Sequence, residues 1–356
     1  LSMDPIVLRQ KNMIHEGDVM PAYYGETANS CRLEECLLKA SDMIGWKEKG
    51  MRTVMPDGKI RARGVAMAMQ GSSISNCDVG SVTVKLSDEG TYHITVGCTD
   101  MGTGCDTIIA QFAADVLETP IDNISVYGVD TDISPYDSGS YASSTTYLTG
   151  MAAVKACEQL RERIIALAAV RMNKDASTLT FDGENVIDES DGAKMSLFDI
   201  ATASMCNNEI SLEVTYSHSS PVSPPPFMAA CAEIEADPET GAIELLDYTA
   251  CVDCGTVVNT NLARVQTEGG LLQGIGMTLY EDIWYDERGK NLSNSFMQYK
   301  VPSRLDTDRI RVEFDSSYEP TGPFGAKSIG EIVINTPAPA IADAVYNATG
   351  VWINEL

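Results

Sequence analysis

The chain has 356 residues, of which 44% are apolar and 21% charged, a composition typical of a folded globular protein. Its 25 Lys and Arg stand against 51 Asp and Glu, and a net charge of −26 without a basic stripe excludes nucleic acid and anionic membrane surfaces as partners. The longest apolar run, residues 164–170, is much shorter than the roughly 18 residues that suggest a membrane span.

The first half of the chain alternates between helical and strand-like patterns. Apolar residues at helical spacing predict helices, and alternating residues broken by a Ser-Asp-Glu-Gly turn predict a hairpin. The predicted elements, in chain order, are a polar and largely helical segment (1–63) containing an amphipathic helix (32–46), a strand (65–69), a hairpin (81–99), a helix (108–117), a strand (124–129) and a long helix (151–172).

The second half begins at a proline-rich segment, residues 217–226, which cannot continue a helix or a central strand. Thr336 is expected to cap a last helix whose first position is Pro337. The predicted elements that follow the segment are a hairpin (227–253), a glycine-rich helix (263–280), a hairpin (285–290) and this last helix (337–347).

The order of these elements predicts an α+β fold with two mixed α/β subdomains. We expect a helical lead-in at 1–63, a first subdomain at 64–220 and a second at 221–356. No segment at the start resembles a signal peptide, and the opening at Leu1 without an initiator Met suggests a fragment or a processed subunit.

The ten cysteines are too few and too scattered for a disulfide scaffold. Cys31 and Cys36 lack further ligands for an iron–sulfur cluster, and Cys251 and Cys254 have no matching second pair. Structural thiols in a reducing cytoplasm are the simplest interpretation, with zinc or redox chemistry as the alternative. The three histidines show neither metal-ligand spacing nor a catalytic triad, so no metal ligand is predicted.

Two loops before predicted helices suit an anion. Residues 99–106 contain Gly102 and Gly104, whose flexible backbone can aim amide groups at a ligand ahead of the helix. Residues 137–146 contain six Ser or Thr hydroxyls and no cation, which suits a phosphate or the polar edge of a heterocycle. A tight turn and a solvated polar loop are the respective alternatives.

The glycine-rich helix contains four glycines between residues 266 and 276, each costing about 1 kcal/mol relative to Ala in a helix. Something must therefore approach its backbone closely, either another helix or a ligand that Gln266 also reaches.

Glu331 ends a loop of three glycines and a proline, directly before Ile332, Val333 and Ile334. A carboxylate that enters an apolar segment is costly unless it is paired with a cation or its pKa is shifted. This makes Glu331 a candidate general base. The alternative is a loop carboxylate paired with Lys327.

The order of these motifs identifies a family resemblance. The segments MGTGCDT, SYASSTT, ARVQTEGGLLQGIG, GAKSIGE and TPAPAIADAV resemble the molybdenum hydroxylases, the xanthine dehydrogenase and aldehyde oxidase family. MDPIVLRQKN, VDCGTVVNTNLARVQ and YKVPSR agree with this resemblance. It covers nearly the whole chain and is to the C-terminal half of the molybdopterin-binding subunit, so the α+β subdomains are expected to be those of that domain.

The resemblance implies a molybdenum–pyranopterin cofactor, extended to a cytosine dinucleotide in many bacteria. It implies that Glu331 is the catalytic base and that a further set of residues binds the cofactor. That set is Gly102, Thr103, Gly104, Tyr141, Ala142, Ser143, Thr145, Gln266 and Gly330. Thr103 replaces a Gln common in the family, Tyr141 a smaller residue, and Ser72 and Ser73 lie where xanthine-oxidising members carry an aromatic.

The activity implied is hydroxylation of an electron-poor C–H carbon of an N-heterocycle (a purine or nicotinate-like ring) or of an aldehyde, with water as the oxygen source. Electrons would pass to [2Fe–2S] clusters and FAD on partner subunits or domains. The other half of the molybdopterin subunit is a further expected partner. The alternatives are a non-catalytic assembly module of the same complex and an acidic nucleotide-binding protein without redox chemistry.

Overall fold

The protein is described by a computed structural model covering residues 3–21, 23–207, 211–303, 305–306 and 309–354, with side chains of 206 and 207 excepted. The helices of this described part are α1 (Pro5–Gln10), α2 (Leu33–Ile44), α3 (Trp46–Lys49), α4 (Cys105–Leu117), α5 (Gly150–Met172), α6 (Leu197–Asn207), α7 (Thr260–Leu279) and α8 (Pro337–Thr349). None of them is both long and apolar enough to cross a membrane.

The strands of the same residues form four sheets. They are β1 (Val19–Met20), β2 (Glu26–Thr27), β3 (Arg52–Val54), β4 (Ile60–Met69), β5 (Gly80–Leu86), β6 (Tyr92–Val96), β7 (Ile124–Tyr127), β8 (Leu179–Phe181), β9 (Asn185–Asp188), β10 (Lys194–Ser196), β11 (Glu213–His218), β12 (Phe227–Ala236), β13 (Ile243–Asp253) and β14 (Ile310–Phe314). Turns of 3₁₀ helix lie at Tyr141–Ser143, Pro323–Gly325 and Ile332–Ile334, and a π-helical turn lies at Thr145–Thr149.

Contacts within the chain divide it into two compact units. The first consists of Leu1–Gly71, Pro224–Pro320 and Lys327–Leu356, and the second of Ser72–Ser223 and Thr321–Ala326. The division expected from the sequence, into 1–63, 64–220 and 221–356, stays a prediction.

The first unit is built on a five-stranded sheet in the order β14-β13-β12-β4-β3, in which only the β13–β14 pair is parallel. Successive side chains of a strand face opposite sides, so Ala62 and Ala66 join the core under α7 and α8 while Val65 joins the core under α2. A Cβ on Gly64 would lie 2.1 Å from the carbonyl oxygen of Ala340, so glycine lets α8 cross the sheet closely.

The second unit contains a four-stranded sheet in the order β11-β5-β6-β7 and a smaller sheet in the order β10-β9-β8. The helices α4 and α5 supply buried residues such as Ile109, Leu160 and Ile164 to a core shared with Val82 and Ile94 of the larger sheet. Mixed sheets with helices in both units confirm the predicted α+β class.

Most predicted elements are confirmed, including the two long hairpins and the helices α2, α4, α5, α7 and α8. Residues 1–63 are less helical than predicted, since α1, α2 and α3 alternate with short strands. The hairpin predicted at 285–290 is reduced to one bridge between Tyr285 and Asn291. Thr336 makes no side-chain cap bond, because its hydroxyl accepts a hydrogen bond from Tyr248 at 3.0 Å.

The cysteines agree with the interpretation as structural thiols. The nine whose side chains are described are free, and all of these except Cys77 are buried. Burial raises the pKa of the Cys231 and Cys254 thiols to about 12, which makes both unreactive at neutral pH.

Candidate functional site

The segment that joins β6 to α4, residues 97–104 (the glycine loop), contains the first predicted site. Gly102 and Gly104 have φ of +103° and +78°, values that glycine adopts without strain. Their amides donate to Oδ1 of Asp100 at 2.9 and 3.1 Å. Burial raises the pKa of Asp100, but the amides of Gly104 and Gly102 outweigh it and hold that pKa below its usual value. The loop therefore does bind a negative charge, and in this structure the charge is its own side chain.

Asp100 is a residue whose role sequence reasoning missed. An Asp two residues before a glycine is a common signal for a side chain that accepts from the backbone two residues on. That signal was present in the TDMG motif. Thr103 lies between the two glycines and is half-buried.

The second predicted site, residues 137–146 (the hydroxyl loop), has a strained backbone. Ala142 and Ser143 have φ of +50° and +57°, which costs non-glycine residues about 1–3 kcal/mol each. Tyr141 donates its hydroxyl to Oδ1 of the fully buried Asp78 at 2.6 Å, and the hydroxyl of Thr145 donates to that of Ser140 at 2.9 Å. Strain of this kind is concentrated at functional sites in proteins.

These two loops pack together at the end of β6. A Cβ on Gly97, where the glycine loop begins, would lie 2.6 Å from Cβ of Asp137, where the hydroxyl loop begins. The helices that follow the loops also touch, since a Cβ on Gly150 would lie 2.7 Å from Cε2 of Phe112. The second unit thus packs the start of the glycine loop against the start of the hydroxyl loop, and α4 against the start of α5.

The first unit brings together the other predicted residues. Gln266 of α7 donates Nε2 to the carbonyl oxygen of Gly330 at 3.3 Å, and Nε2 of Gln70 lies 3.5 Å from Oε2 of Glu331. Glu331 is exposed, whereas Ile332 and Val333 are fully buried. The chain enters an apolar core after Glu331, as its sequence indicates, but the carboxylate itself stays outside that core.

The glycines of α7 explain how this arrangement forms. A Cβ on Gly270 would lie 2.2 Å from Cγ2 of Val333, and one on Gly274 would lie 2.6 Å from Cγ of Pro337. Gly269, by contrast, has nothing within 4 Å of its Cβ position. The approach of another helix, one of the two alternatives, therefore holds for Gly274, which Pro337 of α8 contacts. Gly270 instead admits Val333, which belongs to the turn that carries Glu331.

Lys327 does not pair with Glu331, as the alternative for this loop carboxylate proposed. Its Nζ lies 2.9 Å from Oδ2 of Asp253, and both side chains are fully buried. This pair was missed by sequence reasoning. The available signal was Asp253 at the end of the apolar run Ala250-Cys251-Val252, where a carboxylate requires a partner.

Comparison with known protein families gives a match over most of the chain. The profile described as molybdopterin cofactor-binding domain matches residues 39–308. "Probable hypoxanthine oxidase XdhD" of Escherichia coli K12 is 36% identical, with 100% of this chain and 38% of that protein covered. "Xanthine dehydrogenase molybdenum-binding subunit" of E. coli O157:H7 is 30% identical, with 100% and 48% covered.

Solved structures of related enzymes have the same fold. CO dehydrogenase from Oligotropha carboxidovorans aligns with a TM-score of 0.85 at 26% identity, covering 98% of this chain and 46% of that one. Quinoline 2-oxidoreductase from Pseudomonas putida 86 aligns with a TM-score of 0.86 at 24% identity, covering 99% and 48%. The chain therefore spans less than half the length of these relatives.

Proposed function

The chain belongs to the molybdopterin cofactor-binding domain family, and we propose that it contributes the catalytic base and part of the cofactor site of a molybdenum hydroxylase. The observation that carries this proposal is the close packing of residues 327–334 (the 327–334 turn) against Gly270 of α7. It lets Gln266 of α7 bond the carbonyl oxygen of Gly330, the residue before Glu331. The relatives with 36% and 30% identity are named as a hypoxanthine oxidase and a xanthine dehydrogenase subunit, which favours an N-heterocycle as substrate.

The chemistry of the predicted residues fits a pterin cofactor. A pterin ring offers several donors and acceptors in one plane, and backbone amides, hydroxyls and a carboxamide can match them. The second unit provides the glycine loop and the hydroxyl loop, which includes Tyr141, Ala142, Ser143 and Thr145. Gly102 is exposed, and no atom lies within 4 Å of the position that its Cβ would take. The glycine loop therefore has room for a ligand there.

We propose that Gln266 and Gly330, both in the first unit, bind the cofactor. The Gln266 carboxamide keeps an oxygen acceptor while its nitrogen is held by Gly330. Gly102, Thr103 and Gly104 are assigned to the cofactor from the second unit. Because Asp100 already accepts from two of these amides, a bound phosphate would have to displace its carboxylate or use other donors of the loop.

The reaction proposed converts a substrate C–H group and water into C–OH, two protons and two electrons. A bound molybdenum cofactor would supply the two-electron oxidising capacity that this reaction requires. Glu331 accepts one proton from the attacking water at a carboxylate oxygen, which makes the oxygen nucleophilic. Gln70, 3.5 Å from Oε2, helps to orient that carboxylate.

We further propose a cytosine dinucleotide form of the cofactor, with [2Fe–2S] clusters and FAD on partner subunits or domains and a reducing cytoplasm as the compartment. The hydroxyl loop supports a nucleotide extension, since hydroxyls bind phosphate without adding positive charge. The chain spans 38–48% of its relatives, so the remaining part of the molybdopterin subunit is a proposed partner as well.

Glu331→Gln in the purified complex tests the role of the base. We expect turnover to fall about 10²–10⁴-fold, the usual contribution of a general base. Molybdenum content and thermal stability should stay unchanged, because the side chain is exposed. Glu268→Gln is the matched control, an α7 carboxylate outside the turn, and should keep full activity. Normal turnover in Glu331→Gln would remove Glu331 from the proposed mechanism.

The second candidate function is an assembly module without metal. The molybdenum and nucleotide content of the complex distinguishes it from the first. Metal analysis and acid release of nucleotide from the native complex should give stoichiometric molybdenum and CMP if the proposal holds. A complete complex, prepared anaerobically, that contains no molybdenum would favour the assembly module.

A further inference from the structure

A fully buried ion pair lies four residues before Glu331. Nζ of Lys327 is 2.9 Å from Oδ2 of Asp253, and the exposure of both side chains is 0%. Removing two charges from water is costly, and apolar pairs of similar size are often equally stable or more so. Stability alone therefore does not account for this pair.

The carboxylate of Asp253 connects three separate segments of the first unit. Its Oδ2 accepts from the backbone amide of Arg32 at 2.9 Å in addition to Lys327. Its Oδ1 accepts from the amide of Gly255 at 2.9 Å and from the hydroxyl of Ser317 at 2.7 Å. Asp253, at the end of β13, is thus a fixed point of the sheet with its acceptor capacity filled.

Lys327 is held to this point by its backbone as well as its side chain. Its amide donates to the carbonyl oxygen of Cys254 at 2.8 Å, and Nζ donates to the carbonyl oxygen of Ser30 at 3.2 Å. The ring of Phe227 lies 5.2 Å from Nζ, within the range of a cation–π contact. The first residue of the 327–334 turn therefore has a defined position.

The far end of the same turn is held by packing. Val333 is buried against Gly270 of α7. At the near end, Ser328 adds to the contacts of Lys327 by donating its hydroxyl to the carbonyl oxygen of Gly71 at 3.2 Å. Glu331 lies between these two held ends, on a segment that is not a regular helix or strand. We expect the conformation of such a segment to depend on the contacts at its two ends.

We propose that the buried Lys327–Asp253 pair is a positioning device for Glu331: it fixes the start of the 327–334 turn so that the carboxylate is held where it accepts the proton. Lys327 and Asp253 are positioning residues and touch neither substrate nor cofactor in this role. The inference deepens the proposed function and rests on Glu331 being the base.

Lys327→Met in the purified complex tests the proposal, with amide hydrogen exchange as the first readout. We expect about ten-fold faster exchange in a peptide covering 327–335, with α4 of the other unit unchanged. Turnover should fall about ten-fold with KM and molybdenum content preserved, because a misplaced base affects kcat. Lys327→Arg keeps the charge and should restore part of the turnover and part of the protection against exchange. Lys47→Met, at a lysine with a side chain 75% exposed, should change neither turnover nor exchange.

The proposal is overturned if exchange at 327–335 is unchanged, or if exchange rises equally in α4 and α7, the signature of a merely structural pair. Should Lys327→Met fail to fold, the double variant Asp253→Asn/Lys327→Met leaves no unpaired charge. Faster local exchange and a reduced kcat in the double variant would support the proposal, and wild-type behaviour would refute it.

Failure of the proposed function gives a different pattern. Full turnover in Glu331→Gln would contradict the assignment of the base and with it the purpose of the pair. The exchange data on Lys327→Met would still show whether the pair holds the turn. The two results therefore identify which of the two statements is wrong.

Discussion

The carboxylate of Asp100 shapes the glycine loop before α4. It accepts hydrogen bonds from the amides of Gly102 and Gly104, which lowers its pKa although burial acts in the opposite direction. A carboxyl whose pKa is lower in the folded state stabilises that state above its unfolded pKa of about 3.9. The contribution is lost as the pH falls through the folded value.

Asp100→Asn tests this contribution. We expect the variant to be less stable than the wild type at pH 7 by about 1 kcal/mol, since a neutral acceptor replaces a charged one. The difference should shrink as the pH falls below about 4, where the wild-type carboxylate also becomes neutral. Urea unfolding at several pH values measures it. Asp122→Asn, at an exposed position outside the loop, is the control, and a difference independent of pH would contradict the assignment.

The helix α7 and the 327–334 turn form one packing unit. Gly270 and Gly274 remove the side chains that would otherwise hold Val333 and Pro337 away from the helix. Each glycine costs helix stability, so their presence is explained by the close approach rather than by helix formation. The same contact brings the backbone of Gly330 within reach of Gln266.

Substituting these glycines by alanine separates packing from helix propensity. Gly270→Ala would place a methyl group against Val333, so we expect a loss of about 1–3 kcal/mol and reduced turnover from a displaced turn. Gly269→Ala meets no atom within 4 Å and should instead stabilise the protein, by up to about 1 kcal/mol. Thermal unfolding measures the stability of the two variants, and a turnover assay measures their activity. Equal effects of the two variants would rule out the contact with Val333 as the reason for a glycine at position 270.

The whole molecule carries a net charge of −26 at neutral pH. Ion pairs such as Arg63–Glu233 and Lys327–Asp253 use some of the acidic groups, but 51 acids cannot all be paired with 25 bases. The excess carboxylates repel one another, and this repulsion opposes the compact state. At 0.1 M salt, the repulsion between exposed charges more than about 10 Å apart is largely screened.

The midpoint of thermal unfolding should therefore rise when NaCl is increased from low to near-physiological concentration. KCl at the same ionic strength should have the same effect, because screening depends on ionic strength and not on the identity of the cation. A midpoint that falls with salt, or that responds to only one of the two salts, would contradict self-repulsion as the cause.

Local patterns in the sequence were sufficient for most elements and for the family. The spacing of apolar residues in α2, α4 and α5 and the turn residues of the hairpins act over a few positions, so they can be read without the fold. The motif order from MGTGCDT to GAKSIGE identified the molybdopterin-binding family, which the profile match over residues 39–308 confirms. The roles of the individual site residues stay predictions.

Only the tertiary structure decided which groups meet. Lys327 pairs with Asp253, 74 positions away, and not with Glu331, four positions away. The amides of the glycine loop are used by Asp100, and the Thr336 hydroxyl binds Tyr248 instead of capping its helix. In each case a polar group had several possible partners nearby in sequence. The choice depends on which of them the folded core brings within about 3 Å and which it leaves in water, and no local pattern contains that information.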